Sequence, residues 1–355
     1  MPLGVTKPLA AVRKVGAHGG AGHFHVKLEI RGHGIGVVLN GFLKRIQCAL
    51  QCFEVERSSA LRRQDRSLGQ IKIQSHKTTH ALKLFFFMTL QTHQRLLMTG
   101  AAGGLGQAMR ERLKANCAVL RLSDRAEFGP AQAHEEIMLT DLADADAVLA
   151  MMQGVDAVVH FGGVSVEGPF GPILQANILG THNLYEAARK QGTKRIVFAS
   201  SNHVTGYYRQ SETITADQPA RPDGLYGVSK AFGEDLSRFF FDRYGIETAC
   251  VRIGSSFPEP KDRRMLASWL SYDDLHRLIT ACLSTPVLGH TIIFGVSNNS
   301  VTWWSNEQAR HIGYQPQDSS DVFRDAVFAR TPAPDLTDPA VQFQGGAFVH
   351  RGPFD

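Results

Sequence analysis

Five cysteines in 355 residues are too few for a disulfide framework, and their spacings do not match a zinc site. Cys48 and Cys52 share one segment, while Cys117, Cys250 and Cys282 fall in or beside apolar runs. The last three read as core thiols, not as nucleophiles, and the cysteine usage as a whole suits a reducing cytosol. Thioester chemistry on an open-chain aldehyde, which needs a reactive thiolate, is thereby excluded. Long apolar runs are missing too. Ala81–Leu90, with Phe85, Phe86 and Phe87, is too short and broken to span a bilayer. No long apolar run follows the basic start, as it would in a secretory signal. There is no internal repeat and no low-complexity tract.

Acid is scarce in one place only. Up to Phe87 the chain has 14 Lys+Arg against 4 Asp+Glu, whereas the remainder has 24 against 29. The first quarter also holds six of the fifteen histidines and shows no sustained period of 2 or 3.6. It lacks any recognisable nucleic-acid motif, so no nucleic-acid partner is expected. Residues 1–87 read as a basic N-terminal extension outside the fold, with Met88 as the natural start. The alternative is a basic, acid-poor targeting peptide.

Beyond Met88 strands and helices alternate. Strands are expected at Arg95–Thr99, Ala118–Leu122, Ile137–Thr140, Ala157–His160, Arg195–Ala199 and Thr248–Ile253. Helices are expected over Ala143–Met152, from Asn177 through Ala188 to a stop near Gly192, and from about Tyr226 to Tyr244 with Gly245 as its stop. Repeated βα units of this length imply a doubly wound α/β fold, a parallel sheet with helices on both faces. Ligands then bind at the carboxyl ends of the strands. Gly100, Asp124, Asp141, Gly162, Ser200 and Gly254 all sit at such ends.

The run Gly100-Ala-Ala-Gly103-Gly104-Leu105-Gly106 lies between the first strand and a helix start. Glycine lets the backbone turn tightly and approach a pyrophosphate, and the helix then offers free N–H groups and its positive end. The spacing is Gly-x-x-Gly-x-x-Gly, not the commoner Gly-x-Gly-x-x-Gly. Asp124, at the end of the second strand, stands where a carboxylate binds the adenosine ribose hydroxyls and repels a 2′-phosphate. NAD is therefore favoured, although neighbouring Arg125 could accommodate the phosphate of NADP. Asp141 reads equally as a cofactor contact or as a helix N-terminal acid.

Tyr226 and Lys230, four residues apart, share one helix face. A phenol with a pKa of about 10 is a poor base at neutral pH, and a nearby ammonium is expected to lower that value. Tyr226 can then take a hydroxyl proton while hydride leaves the same carbon. Ser201, which closes the fifth strand, can hydrogen-bond the reacting oxygen. On residues alone, Tyr-x-x-x-Lys also occurs as an exposed helix pair.

Thr99 to Gly106, Asp124, Asn177, Ser200-Ser201 and Tyr226-Gly-Val-Ser-Lys230 resemble the extended short-chain dehydrogenase/reductase family. Phe198 to His203, Ala220 to Lys230, Val251 to Ser255 and Phe343 to Gly346 further resemble its NAD-dependent uronate dehydrogenases. The likeness covers about Arg95 to Phe348. It implies a Rossmann-type NAD-binding domain over 88–254 and a substrate-binding, possible oligomer-contact region over 255–355. It also implies a cytoplasmic homo-oligomer with no membrane partner, acting on a small-molecule hexuronate at C1 of the cyclic hemiacetal. By this resemblance Tyr226 is the base, Lys230 tunes it and holds the nicotinamide ribose, Ser201 orients the C1 hydroxyl and Asn177 supports the network. NAD would meet Gly100, Gly103, Gly104, Leu105, Gly106, Asp124, Asp141, Leu142, Gly162, Tyr226, Lys230 and Ile253. Substrate would meet Ser165, Ser201, Asn202, His203, Tyr226, Ser255 and Arg264; no metal is implied. At Gly104 relatives carry a polar side chain, which bears on cofactor affinity and not on the reaction.

Read from residues alone, Arg264 is also a surface arginine beside Arg263, and His203 is also structural. Two other functions stay open: a nucleotide-sugar epimerase or dehydratase using the same Tyr, Lys and Ser, and a dinucleotide-sensing module without catalysis. The 268 residues from Met88 to Asp355 leave little chain beyond the sixth strand to grip a nucleoside diphosphate sugar. The aromatics Trp303, Trp304, Phe323 and Phe328 read as core of the C-terminal region, with a subunit contact as the alternative.

Overall fold

Seven parallel strands form one sheet in the order β3-β2-β1-β4-β5-β6-β7. They are β1 His93–Thr99, β2 Cys117–Asp124, β3 Glu135–Leu139, β4 Ala157–His160, β5 Arg195–Ser201, β6 Glu247–Ile253 and β7 His290–Gly295. The computed structural model describes residues 93–354. The basic extension over 1–87, the start at Met88, Cys48, Cys52 and the apolar stretch Ala81–Leu90 lie outside the described residues.

Strand sequences explain the layering. A parallel sheet covered on both faces needs strands apolar on both sides. In β1, Leu96 and Met98 face one core while Leu97 faces the other, and all three are fully buried. The first core holds Met109 of α1 (Gly104–Leu113) and Leu275, Leu278 and Cys282 of α6 (Tyr272–Ser284). The second takes Val148 and Met151 of α2 (Ala145–Met151), Leu184 and Tyr185 of α4 (Gly180–Gln191) and Phe240 of α5 (Leu225–Tyr244). Burying one such leucine contributes about 1.5–3 kcal/mol. The expected α/β architecture is therefore present, and α4 and α5 end at the expected glycines, Gly192 and Gly245.

Two expectations need correction. The helix expected from Asn177 begins earlier, as α3 (Phe170–Ile173) followed by a π-helical stretch, Leu174–Leu179, that contains Asn177. One extra residue in that turn breaks the 3.6 period from which the start was inferred. The region after β6, with no strand expected, supplies β7, which pairs with β6 in parallel from Thr248↔His290 to Ile253↔Gly295. Trp303 and Trp304 are buried in a third apolar cluster with Phe294, on which Trp304 stacks at 5.1 Å. Phe323 packs edge-on against Trp269, whereas Phe328 is partly exposed beneath the Arg263 guanidinium.

Candidate active site

Strand order reverses between β1 and β4, and the glycine turn leaves the carboxyl end of β1 there. Gly100 has φ +75°, and a Cβ on it would stand 2.7 Å from the backbone of Phe161 and Gly162. A Cβ on Gly106 would stand 2.2 Å from the Gly100 carbonyl oxygen. Only glycine fits either place. Gly103 precedes α1 without a side-chain cap, so no side chain among the described residues caps the N–H groups opening that helix. At Gly104 a Cβ would meet nothing within 4 Å.

Asp124 accepts hydrogen bonds from the N–H of Ala102 (2.9 Å) and of Ala126 (3.1 Å). Each carboxylate oxygen keeps a further lone pair for a ligand hydroxyl. Asp141 is exposed and accepts from Ala143 N–H, while Asp144 caps α2. Half-buried Leu142 lines the approach to Gly162, and Leu105 is half-buried at the start of α1. Gly162 donates to Thr99 Oγ1, which also bonds His160 Nδ1 at 2.7 Å. Full burial holds that imidazole near a pKa of about 3, so it stays neutral and structural. Positive-φ turn, uncapped helix start and strand-end carboxylate together fit a dinucleotide. Ile253 ends β6 on the other side of the cleft.

Tyr226 lies in the first turn of α5 and Lys230 one turn later, both buried. Lys230 Nζ is 5.8 Å from the Tyr226 ring centroid and 5.0 Å from that of Phe198. Its ammonium has no carboxylate partner among the described residues, and burial pushes it down to about 8. The expected lowering of the phenol is not what the protein's own groups produce. Burial pushes Tyr226 up to about 12, against a hydrogen bond from Ser201 that lowers it, and the Asp223 carboxylate adds to the rise. Ser200, next to Ser201, donates to Glu234 Oε1 at 2.5 Å. Glu234 also takes two bonds from Arg252, at 3.0 and 2.8 Å, which locks α5 to β5 and β6 behind the reacting groups.

Asn177 Oδ1 accepts from Val164 N–H at 2.7 Å, and its Nδ2 donates to the Val164 carbonyl and to Ser229 Oγ. Its link to Tyr226 runs through Ser229 Oγ, which donates to the Tyr226 carbonyl. Ser165 is exposed and makes no hydrogen bond among the described residues.

Ser201, Asn202, His203, Ser255 and Arg264 are brought together. His203 N–H donates to Ser201 Oγ, and its Nδ1 meets Asp223 Oδ2 at 2.7 Å. Its ring stacks on Phe348 at 3.7 Å and meets Tyr226 edge-on at 5.9 Å. Burial lowers its pKa although Asp223 opposes this; the carboxylate fixes Nδ1–H as donor and leaves Nε2 as acceptor in the neutral ring. With its amide turned so that both ends find partners, Asn202 donates N–H to the Ile253 carbonyl (3.0 Å) and accepts from Arg264 Nη2 (2.9 Å). Arg264 Nε donates to the Gln344 carbonyl at 2.7 Å and Nη1 to Ser255 Oγ at 3.4 Å. Arg264 is thus half-buried, not a surface residue, and forms no ion pair among the described residues. Neighbouring Arg263 turns away to Thr331.

Sequence reasoning missed Asp223, Glu167, Gln344 and the position of Phe348. Glu167 is an acid in a loop that carries no motif, whereas Asp223 lies inside the matching Ala220-to-Lys230 stretch without being singled out. Gln344 lies in the matching Phe343-to-Gly346 stretch, yet its links to Trp304 and Arg264 span 40 and 80 residues. The three described cysteines are free and buried, as expected of core thiols.

The family model "NAD dependent epimerase/dehydratase family" matches residues 96–272. A uronate dehydrogenase of Pseudomonas syringae pv. tomato is 58% identical over 268 residues, 75% of this chain and 97% of that protein. The crystal structure of uronate dehydrogenase from Agrobacterium tumefaciens superposes with a TM-score of 0.73 at 54% identity, covering 74% of this chain and 99% of that one. A tyrosine-to-alanine variant from the same organism, complexed with NAD, matches at 53% identity and TM-score 0.72, covering 73% and 98%. The chain belongs to the uronate dehydrogenases, within the NAD-dependent epimerase/dehydratase family.

Proposed function

We propose that this protein oxidises D-glucuronate or D-galacturonate at C1 of the cyclic hemiacetal, giving the aldarolactone with NAD as acceptor. The observation that carries the substrate class is Arg264. A half-buried guanidinium without a carboxylate partner among the described residues, held by Gln344, Ser255 and Asn202, is placed to take the carboxylate of a substrate. Its neighbours include His203, beside Tyr226, so a sugar gripped there presents its ring to the phenol. Ser165, Asn202, His203 and Ser255 supply the remaining contacts to hydroxyls and carboxylate.

The turn from Gly100 to Gly106 and the start of α1 hold the pyrophosphate, and Asp124 takes the adenosine ribose. Asp141, Leu142, Gly162 and Ile253 line the cleft, and Lys230 holds the nicotinamide ribose. When bound, oxidised NAD supplies the hydride acceptor and a positive charge beside the phenol. That charge and the Lys230 ammonium offset the burial that keeps Tyr226 protonated. Ser201 hydrogen-bonds the C1 oxygen while Tyr226 Oη takes its proton. Loss of that proton and of the C1 hydrogen as hydride turns the hemiacetal carbon into the lactone carbonyl. A cyclic hemiacetal needs no covalent adduct, consistent with buried, inert thiols.

Intact Ser201, Tyr226 and Lys230 speak against a non-catalytic sensor. An epimerase or dehydratase is disfavoured by relatives that share over half their residues along nearly their whole length and are uronate dehydrogenases. We further infer a homo-oligomer in a reducing cytoplasm, with residues 1–87 outside the catalytic fold. Rates of NADH formation with each hexuronate, for the full chain and for one beginning at Met88, test these points. Turnover by both chains is expected. No NADH from either sugar overturns the activity, and inactivity of the shorter chain alone overturns the reading of 1–87.

A further inference from the structure

Helix α5, which carries Tyr226 and Lys230, begins without a cap of its own. Gly224, just before its first turn, offers no side chain, and the first N–H groups of a helix need partners. Glu167 provides them from 58 and 59 residues away: Oε1 accepts from Leu225 N–H at 2.9 Å and Oε2 from Tyr226 N–H at 2.8 Å. The carboxylate is buried, and a Cβ on residue 224 would stand 2.3 Å from its Oε2. Glycine at one position and glutamate at the other are therefore matched. Two charge-assisted bonds at the positive end of a 20-residue helix make a strong tether.

The same loop is held a second time. Asn177 bonds both backbone groups of Val164 and reaches Ser229 Oγ, which in turn donates to the Tyr226 carbonyl at 2.7 Å. Val164 to Glu167 is thus a strap fastened toward α5 at both ends, with Ser165 and Val166 exposed between the fastenings.

We propose that Glu167 is a positioning residue for the reaction: it fixes Tyr226 at the start of its helix and holds the strap bearing Ser165 to that same helix, so that base and substrate contact keep one register. The inference rests on the functional reading above. Its test compares wild type, Glu167→Gln, Glu167→Ala and the double variant Glu167→Ala with Gly224→Ser. Once the glutamate is shortened, a serine at 224 has room and can cap the helix, but it cannot fasten the strap. Kinetics with NAD and galacturonate, NAD affinity, and amide hydrogen exchange over residues 225–230 are read together.

Glu167→Ala is expected to lower kcat about tenfold and raise the hexuronate KM about tenfold, since small misplacements near the chemistry are costly. NAD affinity should stay within about twofold, and exchange at Leu225 and Tyr226 should speed up. Glu167→Gln, with one acceptor oxygen instead of two, should fall between. The double variant should recover kcat and exchange protection while KM stays high. Wild-type kinetics in Glu167→Ala, or full recovery of KM by the serine, overturns the proposal. If Glu167→Ala does not fold, Glu167→Gln and the double variant decide it by the same KM-against-kcat split. Absent turnover in the wild type counts against the functional reading alone, and unchanged exchange at Leu225 and Tyr226 in Glu167→Ala then overturns the tether.

Discussion

On the β1–β2 side the cleft is made of backbone: a positive-φ turn, uncapped helix N–H groups and one carboxylate, all between Gly100 and Asp124. On the β5–β6 side it is made of side chains drawn from Glu167, the Ser201–His203 turn, Asp223, Tyr226, Arg264 and Phe348. The first half needs little beyond one βαβ unit. The second needs the sheet completed and the C-terminal segment folded back before its groups meet. A backbone cradle tolerates few substitutions but binds a ligand common to many enzymes. A side-chain cluster can be altered one group at a time, and on the function proposed above it is there that the substrate is chosen.

This division is broken most severely at Tyr226. Tyr226→Phe should lower kcat by about 100-fold or more, the usual contribution of a positioned general base, while NAD affinity holds. Retained turnover would remove Tyr226 as the base. Arg264→Met should raise the hexuronate KM by about 10–100-fold, as expected from a lost charged hydrogen bond of about 1.5–3 kcal/mol, again with NAD affinity unchanged. A KM within about twofold of wild type would place the substrate carboxylate elsewhere. The mirror-image test is Asp124→Ala. It should weaken NAD by about tenfold and narrow its advantage over NADP, with the hexuronate KM unmoved. If KM shifts as strongly as NAD affinity, the two halves are not independent.

The smallest effect sharpens the comparison through stability. Lys230 has its pKa pushed down to about 8, below the ordinary 10.5, so the fold is penalised for holding it charged at neutral pH. The penalty is complete below about 8 and is relieved as pH rises toward 10.5. Lys230→Met loses the contact with Phe198 as well as the penalty, leaving a net gain of ~1 kcal/mol, or about 2–4 °C in thermal midpoint at pH 7. That gain should shrink above pH 8. A fall in midpoint would mean that the ammonium stabilises the fold.

The cofactor half was legible because its constraints are local. A glycine that cannot bear a Cβ, followed by an apolar helix face, leaves a mark within ten residues. Tyr226, Lys230 and Ser201 were legible because helix spacing and a strand end set their places. Arg264 and His203 could be named only through resemblance, since nothing near them in the chain says that Gln344 or Asp223 will arrive. Strand β7 was readable in principle: Thr291-Ile-Ile-Phe294 is β-rich and bounded by Gly289 and Gly295. The π-helical turn at Asn177 was not, because periodicity assumes an unbroken α-helix.

The three buried thiols have a practical use. Cys117 sits at the start of β2, Cys250 inside β6 against α5, and Cys282 in α6, and burial raises the pKa of each. A thiol reacts with an alkylating agent only as thiolate and only when reached. Each is therefore silent in the native protein and becomes labelled when its own layer opens. Peptide mapping of a timed alkylation would then record the order in which the helical layers leave the sheet, with Cys250 reporting on the layer that carries Tyr226.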